Sequence, residues 1–165
     1  MGESWWILLG VGAAVATFLL VWRPVRAGLR EARFARARRS FHAQRERLEA
    51  KFVQLASAQA RPNGPQWEDC DFDDDVAYVR NRKTGELSAF VAVTVAIDDR
   101  DPGEGMPGSA ADLIRNLHAG TAVFRMERDR WVTDGRAILN LTPSEAISFY
   151  RNDLEIVEQE LAQRS

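Results

Sequence analysis

An uncharged run of eighteen residues, WWILLGVGAAVATFLLVW from Trp5 to Trp22, constrains this chain more than any other feature. As a helix it extends roughly 27 Å, close to the apolar thickness of a bilayer. The indole rings of Trp5, Trp6 and Trp22 stand at its two ends, where such rings favour the boundary between lipid and water. The sequence therefore predicts a single transmembrane anchor over 5–22 after a short tail, 1–4. Arginines crowd the C-terminal flank at Arg23, Arg26, Arg30, Arg33, Arg36, Arg38 and Arg39, whereas Glu3 and the terminal amine flank the other end. Positive charge resists translocation, which predicts a cell-membrane protein with its N-terminus outside and everything after Trp22 in the cytoplasm. A cleaved secretory signal fits poorly, because its positive charge would precede the apolar run. Small residues at Gly10/Ala14 and Gly12/Ala16 would let a second helix approach closely.

The net charge of −2 hides a split. Residues 1–62 carry 11 basic and 4 acidic side chains, and residues 63–165 carry 11 basic and 20 acidic ones. This layout predicts a basic segment drawn to an anionic inner leaflet and an acidic domain pushed away from it. The seven flanking arginines are the expected lipid contacts.

Residues 23–61 read as a basic amphipathic helix, with Phe34, Phe41, Leu48 and Leu55 recurring every seven residues and Phe52 on the same side. One seam position per heptad is narrow for a full coiled coil. The helix would be a solvated stalk, would lie on anionic lipid, or would pack on the chain's own domain or a partner. Nucleic acid is disfavoured, since no base-reading pattern accompanies the charge. Arg61-Pro62-Asn63-Gly64-Pro65 predicts a helix stop, with a linker over 62–66.

Residues 67–165 read as one α+β domain: a small antiparallel sheet of about four strands covered by a C-terminal helix. Val76–Arg82 and Leu87–Ile97 make a hairpin around Lys83-Thr84-Gly85-Glu86. The stretch from Asp98 to Gly108 reads as a loop, and Ser109–Leu117 as a short helix. A second hairpin follows, with Thr121–Met126 turning at Glu127–Arg130 and returning through Trp131–Val132 and Arg136–Leu141, broken at Asp134-Gly135. Thr142-Pro143-Ser144-Glu145 has the form of a capping box, and Ala146, Ile147, Tyr150, Leu154, Val157 and Leu161 continue it as one helical stripe.

No catalytic set, resident cofactor or metal site is expected. Cys70 stands between aspartates, which disfavour its thiolate. His118 lacks partners at a useful spacing. The acidic run holding Asp69, Asp71, Asp73, Asp74 and Asp75 has neither the order nor the glycine of a calcium loop, and reads as a solvated loop able to dock a basic partner. Trp67, Phe90, Phe124, Trp131 and Tyr150 are either core or the lining of a pocket between sheet and C-terminal helix. The functional expectation is a non-enzymatic interaction module, an adaptor or accessory subunit of a membrane assembly, with a protein partner or a second copy. The alternative is a tethered ligand-binding or small enzymatic domain using that pocket.

Overall fold

The computed structural model describes residues 4–59, 66–98 and 117–161. The chain forms two compact units, Met1–Ala43 and Gln44–Ser165. One helix, α1 (Ser4–Gln59, 56 residues), supplies all of the described part of the first unit and the opening of the second. The second unit continues with β1 (Gln66–Asn81), β2 (Leu87–Asp98), β3 (Leu117–Glu127), β4 (Arg130–Val132), β5 (Ala137–Leu139), α2 (Pro143–Phe149) and β6 (Leu154–Glu160). The six strands form one antiparallel sheet in the order β4-β3-β2-β1-β6, with β5 paired to β3 beside β4.

The expected membrane anchor is overturned. Among the described residues no helix is long and apolar enough to cross a membrane. The run from Trp5 to Trp22 does not form a helix of its own: α1 continues without a break through the arginine-rich segment. The single-pass topology and the cell-membrane location that rested on the anchor fall with it. The side chains of Trp5 and Trp6, and of Arg23 and Arg26, lie outside the described residues. Trp22 is exposed and packs its ring against Phe18, with centroids 4.9 Å apart.

The C-terminal helix is also corrected. Helix α2 ends after seven residues, Tyr150 caps it, and the chain turns through Asp153 into a strand. Arg151-Asn152-Asp153 explains the stop, because Asn and Asp bond to nearby backbone and so favour turns over helix. Leu154–Glu160 then pairs with the flank of β1 away from β2, from Leu154 against Asn81 to Glu160 against Val76. The sheet has six strands rather than about four because this segment joins it and because the break at Asp134-Gly135 divides the return strand into β4 and β5. Residues 60–65 and 99–116, which hold most of the expected linker and the expected 98–108 loop and 109–117 helix, lie outside the described set, although Leu117 itself opens β3.

Both predicted hairpins form. In the first, Gly85 takes φ +73° while the Asn81 carboxamide accepts from the backbone N–H groups of Lys83 and Thr84 at 2.9 and 3.0 Å. In the second, Arg128 and Asp129 both adopt positive φ, which gives the tight turn the twist that matches its strands.

Alternation along the strands sorts the core into two faces. On one, Val76, Tyr78, Ala89, Val91, Val93, Ala122 and Phe124 are buried, and the end of α1 covers them with Leu48, Phe52 and Ala56. Phe52 is fully buried, its ring 5.6 Å from Phe72 and 5.9 Å from Phe124. On the opposite face Ala77, Val79 and Phe90 pack with Ala146 and Ile147 of α2, joined by Val123, Ile138, Leu141 and Leu154.

Two backbone irregularities let α1 settle on the sheet. Between Phe72 and Val76, β1 carries extra residues against β2. Such a bulge turns carbonyls out of the ladder, and the Arg45 guanidinium of α1 donates to those of Asp73 and Asp74 while its Nε holds Glu49 at 2.7 Å. At the other break, Gly135 passes so close to α1 that an added Cβ would lie 2.7 Å from both the Ala56 nitrogen and the Leu55 Cβ.

Gly135 has φ +72° and Gly85 has φ +73°, but nothing lies within 4 Å of a Cβ at Gly85. Gly85→Ala is therefore expected to lose only the backbone term, about 1 kcal/mol, and Gly135→Ala to lose about 2 kcal/mol or more through the added clash. Urea unfolding midpoints of the full chain check this. Equal losses would mean that α1 does not sit against Gly135 in solution.

Candidate docking surface

Helix α2 begins where its sequence places it. Thr142 is the N-cap, Pro143 opens the helix, and both arms of the capping box form. The Thr142 N–H donates to Glu145 Oε2 at 2.8 Å, and the Thr142 hydroxyl donates to the same oxygen at 2.7 Å. These bonds, the backbone one first, hold the Glu145 carboxyl below the ordinary carboxylate value. Ala146 and Ile147 face the sheet, and Thr121 fastens the approach to the helix by donating its hydroxyl to the Leu141 carbonyl at 2.8 Å.

The far end of α2 is differently made. Phe149 is 71% exposed and Tyr150 41% exposed, their rings meeting edge to face at 5.0 Å. The Tyr150 carbonyl accepts from the N–H groups of Asp153 and Leu154, both at 2.9 Å, which draws the start of β6 back beneath the aromatic pair. The β1–β2 hairpin secures this turn: Arg82 N–H donates to the Asp153 carbonyl at 2.7 Å, and Lys83 Nζ lies 2.6 Å from the Asp153 carboxylate. Two residues into the strand, Ile156 is 55% exposed. It pairs with Val79 and so stands on the α2 side of the sheet, at its margin.

Phe149, Tyr150 and Ile156 thus gather three large apolar side chains at one corner, with Leu161 also exposed just past β6. Scattered apolar residues are ordinary on a surface, whereas a cluster around a short helix end and a sheet edge is a candidate docking surface. Among the described residues β6 pairs with β1 alone, so its outer side is a sheet edge.

The residues singled out from sequence distribute otherwise. Phe90 lies in the α2-side core, while Phe124 pairs with Ala89 on the opposite face with Phe52, and Trp131 stacks with Tyr78 at 6.3 Å. Tyr150 is on the surface and the Trp67 side chain lies outside the described residues, so these five do not line one pocket. The acidic run is strand rather than loop: Asp71 pairs with Thr94 and Asp69 with Ala96. Asp71, Asp73 and Asp74 are exposed and Asp75 is half-buried, and the Asp74 carboxylate lies 3.7 Å from Arg45. Arg30, Arg33, Arg36 and Arg39 are exposed on α1 and Arg38 is half-buried. His118 pairs with Val95 in mid-sheet. Among the described residues no group of three His, Cys, Asp or Glu is placed to hold a metal ion.

Two depressions among the described residues bear on this surface. One of about 400 Å³ runs over the sheet beyond the start of α2, floored by Ala92, Thr94 and Ala119 and flanked by Asp71 and Thr142. It exists because a seven-residue helix reaches only about 10 Å along the sheet. The other, about 680 Å³, is a hollow at the β3–β4 turn lined by Glu127, Arg128, Arg130 and Val132. Although larger, it brings together no groups suited to chemistry and lies on a hairpin tip, so its size carries no functional weight.

No protein family, curated protein or solved structure matches this chain.

The lowered Glu145 carboxyl sets a pH dependence. Its ionised form favours the folded state, so its contribution is complete above the ordinary carboxylate value and disappears as pH falls through the lower folded-state value. Glu145→Gln is expected to lower the thermal midpoint near neutrality, and the deficit should shrink as pH falls through the lowered folded-state value. A deficit that stays equal as pH falls would assign the effect to packing instead.

Proposed function

We propose that the chain is a non-enzymatic interaction module, an adaptor or accessory subunit that docks a protein partner at the corner between α2 and β6. The single observation that carries this reading is the contrast between a filled interior and an exposed apolar corner. Phe90, Phe124 and Trp131, the aromatic residues best suited to line a ligand cavity, are buried in packed cores. Phe149 and Tyr150 stand outward at the end of α2, whose other face is buried through Ala146 and Ile147, and Ile156 stands outward on the neighbouring β6. Aromatic and aliphatic anchors with polar surroundings are the usual centre of a protein–protein contact. A partner covering them would remove from water the apolar surface that α2 and β6 now leave exposed.

The ligand-binding alternative has less support. The open groove beside Thr142 is floored by alanine and threonine, and the aromatic set expected to enclose a small molecule is split between the two faces of the sheet.

Photo-crosslinking in the native host tests the reading. A benzoylphenylalanine at position 149 or 156 of the full chain is expected to yield one discrete protein adduct, and the same group at position 128 or 94 to yield none. An adduct pattern that is the same at all four positions, or a purified chain that retains only a small molecule, would overturn it.

A further inference from the structure

The two sides of β6 differ in chemistry. Its pairing with β1 places Leu154, Ile156 and Gln159 opposite Asn81, Val79 and Ala77, on the side of the sheet that α2 covers. Glu155, Glu158 and Glu160 pair with Arg80, Tyr78 and Val76, on the opposite side. The strand therefore shows an aliphatic margin on one face and acidic residues on the other, where Glu155 is exposed and lies 4.0 Å from Arg82, and Glu158 and Glu160 are half-buried, Glu160 accepting from the Tyr78 hydroxyl at 3.4 Å. Its register shifts between Tyr78 and Val79, leaving Val157 as an extra residue. Edge charges and bulges of this kind keep identical edges from pairing. A second β6 laid antiparallel would bring carboxylates towards carboxylates.

We infer that the outer edge of β6 accepts an added strand from a partner segment in which basic and apolar residues alternate. This rests on the docking role proposed for the same corner and names the partner's chemistry. Such a strand would bond main chain to main chain along Leu154–Glu160. Its apolar side chains would extend the Ile156 and Phe149 surface, and its Lys or Arg side chains would lie on the other face, beside the exposed Glu155. Period-two geometry requires this alternation, since neighbouring strands share their faces. Among the described residues no segment pairs with this edge. The arginine-rich segment is helical, with its backbone groups already used within α1. Residues 99–116 carry four acids against two arginines, together with two prolines. The overall charge of residues 63–165, 11 basic against 20 acidic side chains, further favours a basic partner.

The test uses the full chain and a synthetic seven-residue peptide of alternating lysine and valine, with amide exchange followed residue by residue. Saturable binding that slows exchange at alternate amides of β6 is expected. At least a tenfold loss of affinity is expected for the same peptide N-methylated at alternate positions, for an alternating glutamate–valine peptide, and for the Glu155→Lys variant. Ile156→Thr, which keeps a β-branched residue in the strand, should weaken binding several-fold while leaving the sheet intact. Equal binding of the N-methylated peptide, protection confined to Asp71–Asp74, or pairing of two copies through β6 would each overturn strand addition. The peptide results are independent of the crosslinking experiment: adducts at positions 149 and 156 without β6 protection would overturn this inference and leave the docking role standing.

Discussion

Phe52 holds the second unit together. Its ring is wholly withdrawn from water between Phe72 of β1 and Phe124 of β3, so one side chain of α1 spans the sheet from its second strand to its fourth. Truncating a buried phenylalanine typically costs about 3–5 kcal/mol, a large share of a domain's stability. The last turns of α1 are thus part of the domain's core rather than a stalk leading to it. The Arg45 bonds to the bulged strand and the close passage of Gly135 against Leu55 and Ala56 fix the helix at both ends of this contact.

This arrangement makes the two faces of the sheet unequal. One is covered by the end of a long helix, the other by seven residues of α2. A short helix buries Ala146 and Ile147 and has no further length with which to shield its own end, so Phe149 and Tyr150 stand in solvent above the start of β6. The exposed corner follows from the stop at Tyr150, and that stop follows from Arg151-Asn152-Asp153. Had the helix continued as its apolar stripe suggests, Leu154 and Val157 would have covered the sheet. The edge of β1 would then have lacked the partner that β6 now provides. The sequence satisfies the main-chain hydrogen bonds of β1 at the expense of an uncovered apolar margin.

Local chemistry made several elements legible in advance. The Thr142–Glu145 capping box, the Gly85 turn and the break at Asp134-Gly135 each depend on a few adjacent residues, and each forms. The Leu48 and Phe52 seam also marked the side of α1 that packs. Other elements depend on context that adjacent residues do not carry. Asp69-Cys70-Asp71-Phe72-Asp73 alternates strictly, a strand pattern that the density of charge obscured. Leu154–Leu161 fits both a helical stripe and a strand, and only the unpaired edge of β1 decides between them. The apolar run at Trp5–Trp22 has the length and composition of an anchor, whereas it belongs to a helix more than three times its length. The candidate pocket failed for a simpler reason: Phe90 and Phe124 lie on neighbouring strands with opposite parity, which composition cannot reveal.

Among the described residues the edge of β6 lies open next to a closed core. Native-state amide exchange of the full chain measures both at once. The amides of Leu48–Ala56 are expected to exchange as slowly as those of central strand β2, by one cooperative opening, and the outward amides of β6 to exchange orders of magnitude faster. Uniform protection of β6 and β2 would show the edge to be already covered and would contradict the central claim.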